Sequence, residues 1–144
     1  MKKTFKTFLA VAIAALTLSL TGCTKDKEDL ILGTWKVVSN TVTYNMGGQT
    51  ETESLLDGEA TITFKSDGTV TTWSKDEDGE EYTESGKWSI SDDKLKLEYE
   101  DSETQMMPVM TFNIDKLDKK NLELSYKGNM MGVNVDMKMS LKKI

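Results

Sequence analysis

Apolar and polar residues alternate along most of the chain after residue 30, in short runs separated by polar breaks. A period of two with one apolar face predicts half-buried β-strands, and the Gly, Asp and Asn residues in the breaks are typical of turns. The longest run places apolar side chains at every second position from Val133 to Leu141. In total the runs predict eight strands, near residues 34–44, 59–65, 69–75, 81–90, 94–100, 108–116, 121–127 and 132–142.

Eight strands joined by short connections predict an all-β fold, an eight-stranded antiparallel up-and-down barrel. The interior of such a barrel is filled by side chains or holds one small ligand. A two-sheet sandwich shows the same alternation and remains the alternative. The first strand changes phase, because Trp35 and Val37 share one face whereas Val38, Val42 and Tyr44 share the other. This change predicts a β-bulge or a sharp bend.

One long connection, residues 45–58, separates the first two predicted strands. Long connections in small domains are often functional lids, and disorder is the alternative. If one end of the barrel is open, this segment is long enough to serve as its lid. Leu55 and Leu56 would then form the apolar underside of the lid.

The N-terminal segment has the order of features found in an export signal. Lys2, Lys3 and Lys6 precede an apolar run over residues 8–16, which is too short to span a membrane. Leu20-Thr21-Gly22-Cys23 follows and resembles a bacterial lipobox. The resemblance implies a signal peptide over residues 1–22, a Cys23 that carries diacylglycerol and usually a further acyl chain such as palmitate, a polar tether over residues 23–29 and a barrel domain over residues 30–144. An ordinary secretory leader with an incidental cysteine is the alternative.

More than one acyl chain on a single residue is enough for stable anchoring. The resemblance therefore implies a lipoprotein of the cell envelope, anchored to the outer membrane and either periplasmic or surface-exposed. The charged residues after Cys23 also resemble the surface-export signals of Bacteroidota lipoproteins.

Composition narrows the chemistry that the chain can perform. The sequence has no His and one Cys, so it lacks Ser-His-Asp and Cys-His catalytic groups, His-ligated zinc sites and intrachain disulfides. All 18 basic residues are lysines and the net charge is −6, which disfavours binding to nucleic acid. We therefore expect no catalytic site, no cofactor and no metal. The acidic segment 76–81 fits a solvated hairpin tip better than a calcium loop.

Several segments together resemble a known family. Gly33-Thr34-Trp35 resembles the G-x-W motif in the first strand of lipocalin-like domains, and 62–70, 86–95 and 112–124 extend the match. The set is similar to the lipocalin-like lipoprotein domains of Bacteroidota. The resemblance implies an eight-stranded barrel in which Gly33 and Trp35 are structural and Trp35 packs across a closed end. Lipocalins usually place an Arg over that Trp, and here Lys142 or Lys143 would have to replace it.

The barrel prediction gives two functional hypotheses. The first is binding of a small apolar or amphipathic molecule inside the barrel, because unbranched methionines adapt to differing apolar partners. The second is a filled barrel that acts as an interaction or accessory module for an envelope protein. The candidate cavity residues are those on the apolar faces of two strands expected to approach each other: Met110, Phe112, Met137 and Met139.

Overall fold

The computed structural model describes residues 26–56, 58–99, 109–130 and 132–144. A short helix, α1, covers residues 26–31 and overlaps the predicted polar tether. Cys23 and the predicted signal peptide lie outside the described residues. No helix in the described part of the chain is both long and apolar enough to cross a membrane. The strands that follow α1 are β1 (Gly33–Met46), β2 (Gln49–Ser54), β3 (Glu59–Phe64), β4 (Thr69–Lys75), β5 (Glu81–Ser91), β6 (Lys94–Tyr99), β7 (Val109–Leu117), β8 (Asn121–Met130) and β9 (Val133–Lys143).

The strands close into a barrel. From β3 to β9 each strand pairs antiparallel with the next, and β1 pairs with β3 on one side and with β9 on the other. The ladder between β1 and β9 runs from Trp35 opposite Lys143 to Asn45 opposite Asn134. The predicted eight-stranded up-and-down barrel is confirmed, and the sandwich alternative is wrong.

The segment predicted as one long connection contains an additional strand. β2 pairs with the second half of β1, from Thr41 opposite Ser54 to Met46 opposite Gln49. β2 and β3 follow the same side of β1 one after the other, with a break at 55–58 between them. The sequence did not indicate β2 because all six of its side chains are exposed, which leaves no apolar face to produce alternation.

A bulge in β1 explains the change of phase in its sequence. The register with β9 shifts between Val37 and Ser39, so one residue of β1 has no counterpart on the partner strand. Val38 is exposed as a result, whereas Trp35 and Val37 before the bulge and Val42 after it are buried. The predicted bulge is confirmed.

The two ends of the barrel differ. One end carries α1 and the β3–β4, β5–β6 and β7–β8 turns, and we call it the closed end because α1 packs on it. The other end, which carries the β1–β2, β4–β5 and β8–β9 connections and has no such helix in the described part of the chain, is called the open end. The main core cluster includes fully covered side chains close to the closed end: Ile31, Trp35, Phe64, Val70, Leu95, Leu122 and Leu141. The acidic segment around Asp78 forms the β4–β5 hairpin tip at the open end.

Trp35 and Lys143 complete the closed end. The Trp35 indole N–H donates a hydrogen bond to the carbonyl of Ile31 over 2.6 Å, and the Lys143 ammonium donates to the carbonyl of Leu30 over 2.9 Å. The last carbonyls of a helix lack partners within the helix, so these two side chains cap α1. The ammonium also lies 5.1 Å from the centroid of the Trp35 ring system. Of the two lysines proposed, Lys143 occupies this place.

Candidate ligand-binding site

The four candidate cavity residues all lie on the inner wall. Phe112 and Met137 are buried, and Met110 and Met139 are partly buried. Phe112 and Met139 pack with the main core cluster. Met137 belongs to a second cluster, and Met110 touches both clusters. The second cluster also contains Val42 and Val135, with Tyr44, Tyr126 and Val133 packed against it.

Strand register brings these side chains together around Tyr126. Tyr126 on β8 lies opposite Met137 on β9, and the next pair on the same face is Leu124 with Met139. On its other side the Tyr126 ring meets the Phe112 ring edge-on, with centroids 6.2 Å apart. Tyr126 therefore joins the apolar faces of β7 and β9. Its place in the alternation of β8 marks it as inward-facing, but only the register shows which residues it contacts.

Gly128 leaves room for the Tyr126 ring. A β-carbon on Gly128 would lie 2.1 Å from the Tyr126 hydroxyl oxygen, so the ring of Tyr126 extends along its own strand over this glycine. A side chain at residue 128 would force the ring to move. Nothing in the sequence distinguishes this glycine from one that serves a turn.

A pair of hydroxyl groups lies on the inner face of the strands across the barrel from Tyr126. The Tyr99 hydroxyl on β6 is 3.0 Å from the Thr72 hydroxyl on β4, across β5. The β5 residue opposite Tyr99 is Gly86, where a β-carbon would lie 2.2 Å from the carbonyl oxygen of Glu98. Burial raises the pKa of Tyr99, the hydrogen bond with Thr72 lowers it, and the nearby Glu84 carboxylate raises it further. The Tyr99 phenol is therefore protonated at neutral pH.

Asn40 adds a polar group to the inner wall. It lies opposite Met139 and, after the bulge, shares its face with Val42. Its side-chain oxygen Oδ1 is buried and has no hydrogen-bond partner in the described part of the chain. Buried acceptors without a partner are uncommon, and such an atom is available to a donor on a guest molecule.

Residues 31–124 match the family model of the lipocalin-like domain. The chain belongs to the lipocalin-like domain family. No curated protein matches it in sequence. The lipocalin-like resemblance drawn from Gly33, Trp35 and the later segments is thereby confirmed.

Solved structures with the same fold come from bacteria and from an animal. A lipocalin-like protein from Bacteroides uniformis has a TM-score of 0.55 at 17% identity, covering 79% of this chain and 98% of that one. An uncharacterized protein from Bacteroides eggerthii has a TM-score of 0.52 at 14% identity, covering 79% and 99%. Lobster apocrustacyanin A1 has a TM-score of 0.56 at 16% identity, covering 83% of this chain and 64% of that one. At these identities the likeness concerns the fold.

The predicted lid residues of this lipocalin-like domain lie in the break between β2 and β3. Leu55 is exposed and its backbone N–H donates to the carbonyl of Asn40 over 2.7 Å. Leu56 is partly buried and packs against the main core cluster. Both residues thus lie beside the strand that carries Asn40, and their role as a lid stays a prediction.

A polar groove of about 500 Å³ lies on the outer face of the domain, over β1, β8 and β9. Lys127 and Asp136 form an ion pair in it, with the ammonium 3.0 Å from carboxylate oxygen Oδ2. Thr43, Asn129 and Asn134 are among its other side chains. Within the described residues, no three His, Cys, Asp or Glu side chains cluster in a way that would hold a metal ion.

Proposed function

We propose that this lipocalin-like domain binds one small apolar or amphipathic molecule in the open half of its barrel. The observation that carries the proposal is an inner wall whose apolar side chains are only partly covered: Met110, Tyr126 and Met139 are half-buried although they point into the barrel. When a guest covers apolar surface that is accessible inside the barrel, the free energy of binding becomes more favourable by roughly 25 cal/mol per Å² of apolar surface buried.

The distribution of side chains suits a guest with a long apolar body. The closed end is filled, because Trp35 and Leu122 are fully covered there. The guest therefore occupies the open half, against methionines that repack around differing shapes. The Asn40 oxygen and the Tyr99–Thr72 hydroxyl pair are available to a polar head group.

A titration with fluorescent lipid probes tests this proposal. We expect saturable binding of one fatty-acid or fatty-alcohol probe per chain. Met137→Trp adds bulk to the inner wall and should weaken binding at least tenfold. Val109→Trp is the control, because Val109 is exposed on the outer face of β7 beside Met110 and its replacement should leave affinity unchanged.

Absence of saturable binding would contradict the carrier function. So would equal affinities for the wild type and the Met137→Trp variant. Either result would favour the alternative, in which the barrel is an interaction or accessory module for an envelope protein.

We propose further that Cys23 carries a lipid that anchors the domain to the outer membrane. The ordered leader and the lipobox-like residues Leu20 to Cys23 support this. Cys23→Ser should accumulate as an unprocessed precursor that incorporates no alkyne-palmitate, whereas the wild type is labelled. Labelling of the variant at the wild-type level would contradict the proposal.

A further inference from the structure

The N-terminal helix is fixed to the closed end of the barrel by contacts along its length. The Lys27 ammonium forms an ion pair with the Asp93 carboxylate and donates a hydrogen bond to the carbonyl of Asp92 over 3.1 Å, both in the β5–β6 turn. Ile31, at the other end of α1, is fully buried in the main core cluster. The Lys143 ammonium also donates a hydrogen bond to the carbonyl of Leu30. The start of the described chain therefore lies against the closed end.

Cys23 is separated from Asp26 by only two residues. Three residue steps span at most about 11 Å even when the chain is fully extended. A lipid on Cys23 would thus enter the bilayer beside the β5–β6 turn, far from the open end of the barrel.

The two ends of the barrel differ in charge. At the closed end, exposed lysines (Lys65, Lys94, Lys119, Lys120 and Lys142) are balanced by exposed carboxylates (Asp26, Glu28, Asp29, Asp67, Asp92 and Asp93). The open end is rich in carboxylates, on β2, at the β4–β5 tip and at the start of β5: Glu51, Glu53, Asp76, Glu77, Asp78, Glu80, Glu81 and Glu84. An anionic membrane surface therefore repels the open end more strongly than the closed end.

We infer that the anchored barrel has its closed end against the membrane. The β5–β6 and β7–β8 turns then face the phospholipid head groups, and the open end faces the aqueous phase. This inference rests on the proposed lipid on Cys23. The guest then enters and leaves through water, and the domain exchanges it with soluble partners or with an opposing surface. Direct extraction from the bilayer that holds the anchor is disfavoured.

Resonance energy transfer from a dye on the protein to an acceptor in the membrane measures this orientation. Lys119→Cys places a thiol in the exposed β7–β8 turn and Glu77→Cys places one at the exposed β4–β5 tip. Each variant is expressed as the full chain, purified in lipidated form, labelled with a donor dye and reconstituted into vesicles that contain a head-group acceptor. An 11-residue strand such as β9, tilted by about 40°, spans roughly 28 Å, so the two donors should lie at clearly different heights.

We expect a high energy-transfer efficiency from a donor at residue 119 and an efficiency at least threefold lower from a donor at residue 77. A matched variant with twelve Gly and Ser residues inserted between Lys25 and Asp26 should bring the two efficiencies close together, because a long flexible linker frees the barrel to tumble. Equal efficiencies without the linker, or stronger transfer from residue 77, would overturn the inference.

Two measurements made beforehand distinguish a wrong orientation from a missing lipid anchor. Intact-mass analysis reports the lipid on Cys23, and flotation with vesicles reports attachment. Protein that is unlipidated and does not float would refute the anchor, and the orientation with it. Lipidated, floating protein with equal transfer efficiencies would refute the orientation alone.

Discussion

Lys143 joins three parts of the closed end through one ammonium group. It caps the carbonyl of Leu30 at the end of α1, lies over the Trp35 ring, and belongs to the last strand of the barrel. Lipocalins usually place an Arg here, this sequence has none, and Lys143 fulfils the positional part of that role. Arg has a planar group that donates two parallel hydrogen bonds, whereas Lys offers a point charge on a flexible stem.

Replacement of this lysine should lower stability. Lys143→Met keeps much of the aliphatic stem but removes both the hydrogen bond to Leu30 and the cation over Trp35. We expect a loss of about 1–2 kcal/mol in the free energy of unfolding, measured by urea denaturation. Lys142→Met, at the exposed neighbouring position, is the control and should change the value by less than about 0.5 kcal/mol. Equal losses would contradict the role assigned to Lys143.

Tyr99 should make stability depend on alkaline pH. Burial raises its pKa in the folded state above the ordinary value near 10, so the folded protein holds the proton more tightly than the unfolded chain does. The resulting stability is fully present below about pH 10 and is lost as the pH rises through the folded-state pKa. Urea unfolding at pH 8, 9.5 and 11 should show a shallower decline for Tyr99→Phe than for the wild type. The difference at pH 8 reports the lost Thr72 hydrogen bond, and parallel declines would contradict the account.

At the level of elements, the sequence predicted each strand that has an apolar face. The predicted spans agree with the observed bounds to within a few residues, and the phase change at Val38 predicted the bulge. β2 was missed because its Gln-Thr-Glu-Thr-Glu-Ser sequence is exposed on both faces and therefore carries no period-two signal. Its pairing depends on β1, whose partner along this half was not apparent from the sequence.

The break between β2 and β3 depends on Gly58. Its φ is +82°, and a β-carbon there would lie 2.0 Å from the backbone carbonyl oxygen of Lys75. Gly58→Ala should therefore cost about 3 kcal/mol or more, because backbone must move as well as adopt a strained conformation. Gly48→Ala is the control, since its φ is +89° but no atom lies near the added carbon, and we expect a cost of about 1 kcal/mol. Equal costs in thermal or urea unfolding would show that the contact with Lys75 does not matter.

At the level of the whole molecule, closure of the barrel depends on the pairing between β1 and β9. Alternation is the same in a sandwich and in a barrel. The count of eight strands joined by short connections favoured the barrel, and the G-x-W resemblance implied the same fold. The inward faces of Met110, Phe112, Met137 and Met139 were predicted correctly, because parity within a strand fixes the face. The contribution of Tyr126, Gly128 and Asn40 was not foreseen, because it depends on register and on the bulge.

Methionine methyl NMR tests the central claim, a guest bound in the open half of the barrel, most directly. The protein carries ¹³C-methyl methionine, single Met→Leu variants assign the signals, and a fatty alcohol is titrated in. We predict saturable shifts for Met110, Met137 and Met139 at one guest per chain, each larger than the shift of Met46, which is exposed at the end of β1. Shifts confined to Met46, or no saturable shift at any of the inner methionines, would contradict the account.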